Sequence, residues 1–115
     1  MSFGPIVSYS GVVASGASTV SFQLPKAFSK VFVELSTMST QVAFDVYGST
    51  DPAGTYRQVF ERVNTAPVQY QSLTVASSVG ANAGATPIDV AYPNIQLRAS
   101  AVVSGGVNVK LICWD

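Results

Sequence analysis

The chain has 115 residues, 48% of them hydrophobic and 10% charged, with six Lys+Arg against six Asp+Glu, no histidine and one cysteine. That length predicts one domain, able to bury on the order of 65% of its unfolded surface without disulfides or metal. Balanced, sparse charge excludes the basic footprint of a nucleic-acid binder, and the missing histidine removes the commonest general base and metal ligand.

Taken in chain order, Met1 to Pro5 reads as an N-terminal arm of the single 1–115 domain, with Phe3 as its one large anchor. It carries no basic region or apolar run, so no signal peptide is expected. No later stretch approaches the roughly 18 apolar residues of a membrane helix, so no membrane partner is expected. A weak strand is expected from Ile6 to Val13. Val20, Phe22 and Leu24 then alternate with Thr19, Ser21 and Gln23 until Pro25 closes the strand. Val31, Val33 and Leu35 alternate with Phe32, Glu34 and Ser36, and Phe44 and Val46 share a face opposite Asp45 and Tyr47.

From Val42 to Val59 the pattern is a strand, a Gly/Ser/Asp/Pro turn and a returning strand, a β-hairpin with a loop of several residues. Weaker strands are expected at Arg57 to Val63 and Tyr70 to Val75. Ser77 to Pro87 holds small residues with little to bury and reads as a long loop. Ile95, Leu97 and Ala99 form one alternating set, and Val107, Val109, Leu111 and Cys113 another. Ser104-Gly105-Gly106 between them predicts a tight C-terminal hairpin. The sum is about eight short strands and no substantial helix: an all-β, antiparallel β-sandwich of jelly-roll type, two sheets of roughly four strands.

No catalytic constellation is visible, and the chain reads as a non-enzyme without cofactor. The carboxylates are scattered, and pairing of Asp45 or Glu61 with Arg57, Arg62 or Arg98 on solvated strand faces explains them better than a facing acid pair. Asp51 offers one carboxylate where calcium wants six to eight oxygens; an Asx hydrogen bond shaping the Asp51-Pro52 turn is the simpler role. Cys113 falls in the inward set and reads as buried and inert. Trp114 points the other way, where it could stack on a sugar, meet another protein or cover the open end of the sandwich.

The segment Phe44 to Val59, Phe-Asp-Val-Tyr-Gly-Ser-Thr-Asp-Pro-Ala-Gly-Thr-Tyr-Arg-Gln-Val, resembles a hairpin of small jelly-roll domains. These include discoidin-like carbohydrate-binding modules and β-sandwich structural proteins of tailed bacteriophages. Tyr92-Pro93-Asn94-Ile95-Gln96-Leu97-Arg98 is similar to the penultimate strand of the same families. Discoidin-like modules are usually longer, secreted and often disulfide-bonded, so the phage proteins look closer. The resemblance implies a structural virion protein, made in the host bacterial cytoplasm and docked on the particle. It would be a capsid decoration (cement) protein bridging neighbouring subunits of the major capsid protein, and a homo-oligomer, with a trimer suiting three-fold sites. The alternatives are a carbohydrate- or receptor-binding module using Trp114, Tyr47 or Tyr56, or a neck or tail component. The interface residues expected are Ser2, Phe3, Gly4, Pro5 and Ile6 of the arm, Val79, Asn82 and Thr86 of the small-residue loop, and Trp114.

Overall fold

The period-two alternation is realised as strands in a computed structural model, which describes residues 5–38, 43–63, 67, 69–76, 80–88, 90, 92–103 and 105–115. The elements are β1 (Val7–Val13), β2 (Thr19–Gln23), β3 (Lys30–Met38), β4 (Ala43–Ser49), β5 (Arg57–Gln58), β6 (Phe60–Val63), β7 (Gln69–Ser72), β8 (Thr74–Ala76), β9 (Gly80–Pro87), β10 (Asn94–Ala99) and β11 (Val107–Trp114). The first sheet has the order β1-β11-β3-β9, and the second the order β2-β10-β4-β5 with β8 also on β4. All ladders among the described residues are antiparallel. Up to β4, and again from β9 onward, each strand lies in the opposite sheet from the one before it. That alternation of sheets gives the jelly-roll-like connectivity expected from the sequence.

The two sheets bury their apolar sets against each other. Val13, Val31, Val33, Leu35, Val107, Val109, Leu111 and Cys113 come from the first sheet, and Val20, Phe22, Phe44, Val46, Ile95 and Leu97 from the second. Burial of each large aliphatic or aromatic side chain contributes roughly 1.5–3 kcal/mol. Cys113 is in this core, and burial pushes its thiol above its ordinary value.

Three expectations are corrected. First, Ser104-Gly105-Gly106 does not close a hairpin, because β10 belongs to the second sheet and β11 to the first. Both strands bury one apolar face, so they oppose each other across the core instead of sharing a ladder. Gly105 and Gly106 turn the chain between the sheets with φ of 83° and 77°, which only glycine adopts freely. Val103, fully buried just before them, is pinned by backbone bonds with Gly16 and Ala17.

Second, the small-residue segment is not a loop throughout: Gly80–Pro87 is β9, an edge strand on β3 with a register shift between Leu35 and Ser36. Backbone hydrogen bonds to β3 hold it, so it needs no apolar alternation of its own. Asn82 and Thr86 therefore lie in a strand, while Ser77 to Val79 fall outside the described residues.

Third, the strand count rises from about eight to eleven among the described residues, because β9 adds one and the strands expected at Arg57 to Val63 and Tyr70 to Val75 are each split in two. β5 covers Tyr47 and Gly48 of β4, while β8 covers Ala43 to Asp45. Between them the chain leaves the sheet as the separate β6–β7 ribbon. Val59 and Leu73 form its neck: Val59 N donates to Val46 O (2.8 Å), Leu73 N to Val59 O (2.9 Å) and Val46 N to Leu73 O (3.1 Å).

Candidate contact surface

The outward face of the first sheet is the most distinctive surface of the molecule. Register fixes its rows across β11 and β3: Trp114 opposite Lys30, Ile112 opposite Phe32, Lys110 opposite Glu34 and Asn108 opposite Ser36. On the flanks, Ser8 lies opposite Ile112 and Pro87 opposite Phe32. Cross-strand neighbours on one face touch, and the Phe32 and Trp114 rings are stacked, 5.4 Å apart and inclined by 13°. Trp114, Phe32 and Ile112 are half-buried and Pro87 is exposed. One end of this face is thus an apolar cluster, while Val12, Phe60, Tyr70 and Val102 are large apolar side chains exposed elsewhere among the described residues. Ile6, 71% exposed, precedes the Val7–Cys113 pair at the same end.

Beside that end the Lys26 ammonium donates to the Asp115 carboxylate, an exposed ion pair, and Ser29 N donates to Asp115 Oδ1 at 3.3 Å. Lys26 also lies 5.2 Å from the centre of the Phe28 ring. The hydrogen bond from Lys26 holds the Asp115 carboxyl below its ordinary value of 3.8, with the Ser29 bond and the Lys26 charge adding to it and partial desolvation opposing. A carboxylate with a depressed pKa favours the paired state above its unfolded pKa and loses that contribution as pH falls through its folded pKa. An NMR titration of the Asp115 side-chain carbon should give a midpoint below 3.8, moving back towards that value in Lys26→Ala. An unchanged midpoint in that variant would show that Lys26 is not the cause.

The structure gathers part of the expected interface and disperses the rest. Pro5, Ile6 and Trp114 stand at one end of the first sheet, and Thr86, opposite Val33, lies at the same end on the far edge strand. Asn82, opposite Ser36, is at the other end. Ser2, Phe3, Gly4 and Val79 lie outside the described residues. Trp114 does not cover the open end of the sandwich, since its strand position places it on the sheet face. Pro87 closes the small-residue segment expected to make contacts, whereas Phe32 and Ile112 were missed. The signal was present, because Phe32 and Ile112 are large apolar residues in the outward half of alternating strands. That β3 and β11 are neighbours is not written in either strand.

The second sheet presents a different, polar face. Gln96 Nε2 donates to Ser21 Oγ (2.9 Å), Arg98 Nε donates to Gln96 Oε1, and the Arg98 guanidinium lies 3.9 Å over the Tyr47 ring. Arg98 is registered opposite Asp45, yet no ion pair among the described residues joins them. Trp114, on the opposite sheet, does not converge with Tyr47 on this face, whereas Tyr56 precedes Arg57, the partner of Gly48 next to Tyr47. The connection itself is shaped by Asp51, whose Oδ1 accepts from Ala53 N (3.0 Å) and whose carbonyl accepts from Ser49 Oγ (2.7 Å) and Gly54 N (2.9 Å). The expected Asx turn is thus made. An open cleft of about 410 Å³ lies at the ribbon base, walled by Val59, Leu73, Ile88, Val90 and Tyr92 with Glu61 at its side. Glu61 accepts a hydrogen bond from Gln71. Among the described residues no group of three or more His, Cys, Asp and Glu is placed to hold a metal ion.

No protein-family model and no curated protein matches this chain. A solved structure does match: the crystal structure of SPBc2 prophage-derived protein YomS aligns over 100% of this chain and 97% of that one, with a TM-score of 0.62 and 18% identity. The fold is shared. At that identity the likeness concerns the arrangement of strands, and it carries no residue role across.

Proposed function

We propose that this protein is a structural component of a tailed-phage virion: a capsid decoration (cement) protein that oligomerises and bridges neighbouring subunits of the major capsid protein. The observation that carries the reading is the apolar end of the first sheet, where Trp114 stacked on Phe32, Ile112, Pro87 and the exposed Ile6 form one patch on a charge-poor surface. Patches of this kind mark protein contacts. Two further supports are the resemblance of the β4–β5 hairpin to phage jelly-roll proteins and a fold shared with a protein described as prophage-derived. A cement protein needs no chemistry: binding a closed contact between shell subunits favours the shell state that presents it. The carbohydrate-binding alternative calls for converging exposed aromatics, whereas Trp114 stands on the opposite sheet from Tyr47, and Tyr47 and Tyr56 are half-buried.

Docking through the arm has a direct test. Deleting residues 2–5 removes nothing from the β1 ladder, which begins at Val7, so the circular dichroism spectrum and melting should be preserved. Occupancy on purified particles, read by quantitative gel or cryo-electron microscopy, should fall about tenfold or more, since the contacts made by those residues are lost with them. Unchanged occupancy would remove the arm from the interface. The same particles treated with Trp114→Ala protein test the sheet face, and full binding by that variant would remove the patch on which the proposal rests.

A further inference from the structure

The outward face of the first sheet is complementary to itself. We infer that its partner is a second copy of this chain, packed face to face about a two-fold axis running along the strands midway between β3 and β11. The inference rests on reading that face as a contact surface, as in the proposed function, and names what covers it.

Row register carries the argument. Rotation by half a turn about such an axis lays β11 of one copy over β3 of the other and leaves each residue at its own level along the strand. Every residue of β11 then meets its own row partner in the second copy. Ile112 meets Phe32 twice, an apolar contact at the level of the stacked Phe32 and Trp114 rings. Lys110 meets Glu34 twice, giving two opposite-charge contacts. Trp114 meets Lys30, an ammonium brought to an indole face. Asn108 meets Ser36, polar against polar. No row sets like charge on like charge, and the one charge set against a ring, that of Lys30, meets the Trp114 indole. Within one copy Lys110 and Glu34 are side by side in register, yet no ion pair among the described residues joins them.

The flanks and the size agree. On β1, Ser8 and Ser10 are small and exposed, and Val12, opposite Asn108, adds an exposed apolar side chain at the other end of the face. Twisted sheets pack at about 30°, which keeps the correspondence tightest on the two central strands. Four strands by about eight residues give a face of ~20 Å by ~25 Å. Two copies would cover about 1,000 Å² in total, the lower bound for a specific interface. The contact is isologous and closes on itself, so it forms dimers and no open fibre. It makes a dimer the assembly unit where three-fold sites had suggested a trimer.

The test is a charge exchange read by analytical ultracentrifugation. Wild-type protein should sediment as a dimer. Glu34→Lys sets lysine against Lys110 at two places per pair, and Lys110→Glu sets glutamate against Glu34. Each variant alone should dimerise about 100-fold more weakly or worse, while melting near the wild-type temperature, because both positions are on a solvated face. Mixed in equal amounts, the two variants should form a heterodimer at close to wild-type affinity, an outcome that no defect of folding can mimic. A monomeric wild-type protein, or a mixture that fails to associate, overturns the inference. Particle binding separates the two readings. If the wild type is monomeric and Glu34→Lys blocks docking on particles, the shell covers this face: the second-copy inference falls and the proposed function stands. If the exchange behaves as expected but the dimer never binds particles, the inference stands and the proposed function falls.

Discussion

Asn94→Asp should cost the fold about 3–5 kcal/mol at neutral pH, the range for an uncompensated buried charge. Asn94 opens β10, registered opposite Gln23 on one side and Ser49 on the other, and is 2% exposed. Its Nδ2 donates to the Ser49 carbonyl at 3.2 Å, and its Oδ1 has no protein partner. A carboxylate there loses the donor to the Ser49 carbonyl, turns oxygen towards oxygen and brings a charge to a place where no ion pair among the described residues reaches. Such a carboxyl has a folded pKa above its unfolded value of about 3.9. The penalty therefore develops as pH rises through the unfolded pKa, is complete above the folded pKa and vanishes below both. Urea unfolding at pH 7 and pH 3.5 checks this, with the variant approaching wild type only in acid. Asn94→Leu, which leaves the Ser49 carbonyl unsatisfied but adds no charge, should lose about 1–3 kcal/mol with no such pH dependence. Equal losses for Asn94→Asp at both pH values would show that the site admits water or a cation.

Gly48→Ala is the second large effect, about 2–3 kcal/mol from overpacking. Gly48 faces inward on β4, and a Cβ there would stand 2.2 Å from Tyr92 Cδ2, 2.5 Å from its Cγ and 2.9 Å from its Cβ. A change of χ1 carries Cγ and Cδ2 away only by taking the ring out of its packing, and Cβ moves only with the backbone at Tyr92, so either the packing or the backbone must give. That backbone is tied down one residue later, where the Pro93 carbonyl accepts from Leu24 N at 2.8 Å. In a Tyr92→Ala background the same substitution should cost less than about 1 kcal/mol, because contacting residues are not additive. Thermal melting of the four proteins in the cycle decides it, and simple additivity would refute the ring-on-glycine packing.

These two sites show where sequence reading stops. Gly48 is legible as part of a hairpin resembling known ones, and the hairpin is present, with Gly48 opposite Arg57 and the Asp51 turn between the strands. That the glycine exists to admit Tyr92, 44 positions later, depends on how the chain returns after β9. Asn94 reads as one more polar residue beside Pro93, and its burial follows from β10 becoming the strand between β2 and β4. The contact surface is legible to the same depth. Trp114 stands out on composition alone, whereas Phe32 and Ile112 acquire meaning when the ladder sets them side by side.

Alternation by itself determined which half of each long strand faces the core, because a pleated strand has a period of two and water accepts only one of its faces. It gave Val31, Val33 and Leu35 inward with Phe32 and Glu34 outward, and Val109 and Leu111 inward with Lys110 and Ile112 outward. It also determined the all-β class and the turn at Asp51. Only the tertiary structure decided which strands are neighbours. Strand pairing runs through backbone groups that every residue carries, so the sequence of β9 could hide an edge strand, and that of β10 and β11 could pass for a hairpin. The two-gly turn, the broken edge at Val59 and Leu73 and the self-complementary rows of β3 and β11 all follow from that choice of neighbours. The second-copy inference rests on the last of these, and the functional proposal on the apolar end of the same face.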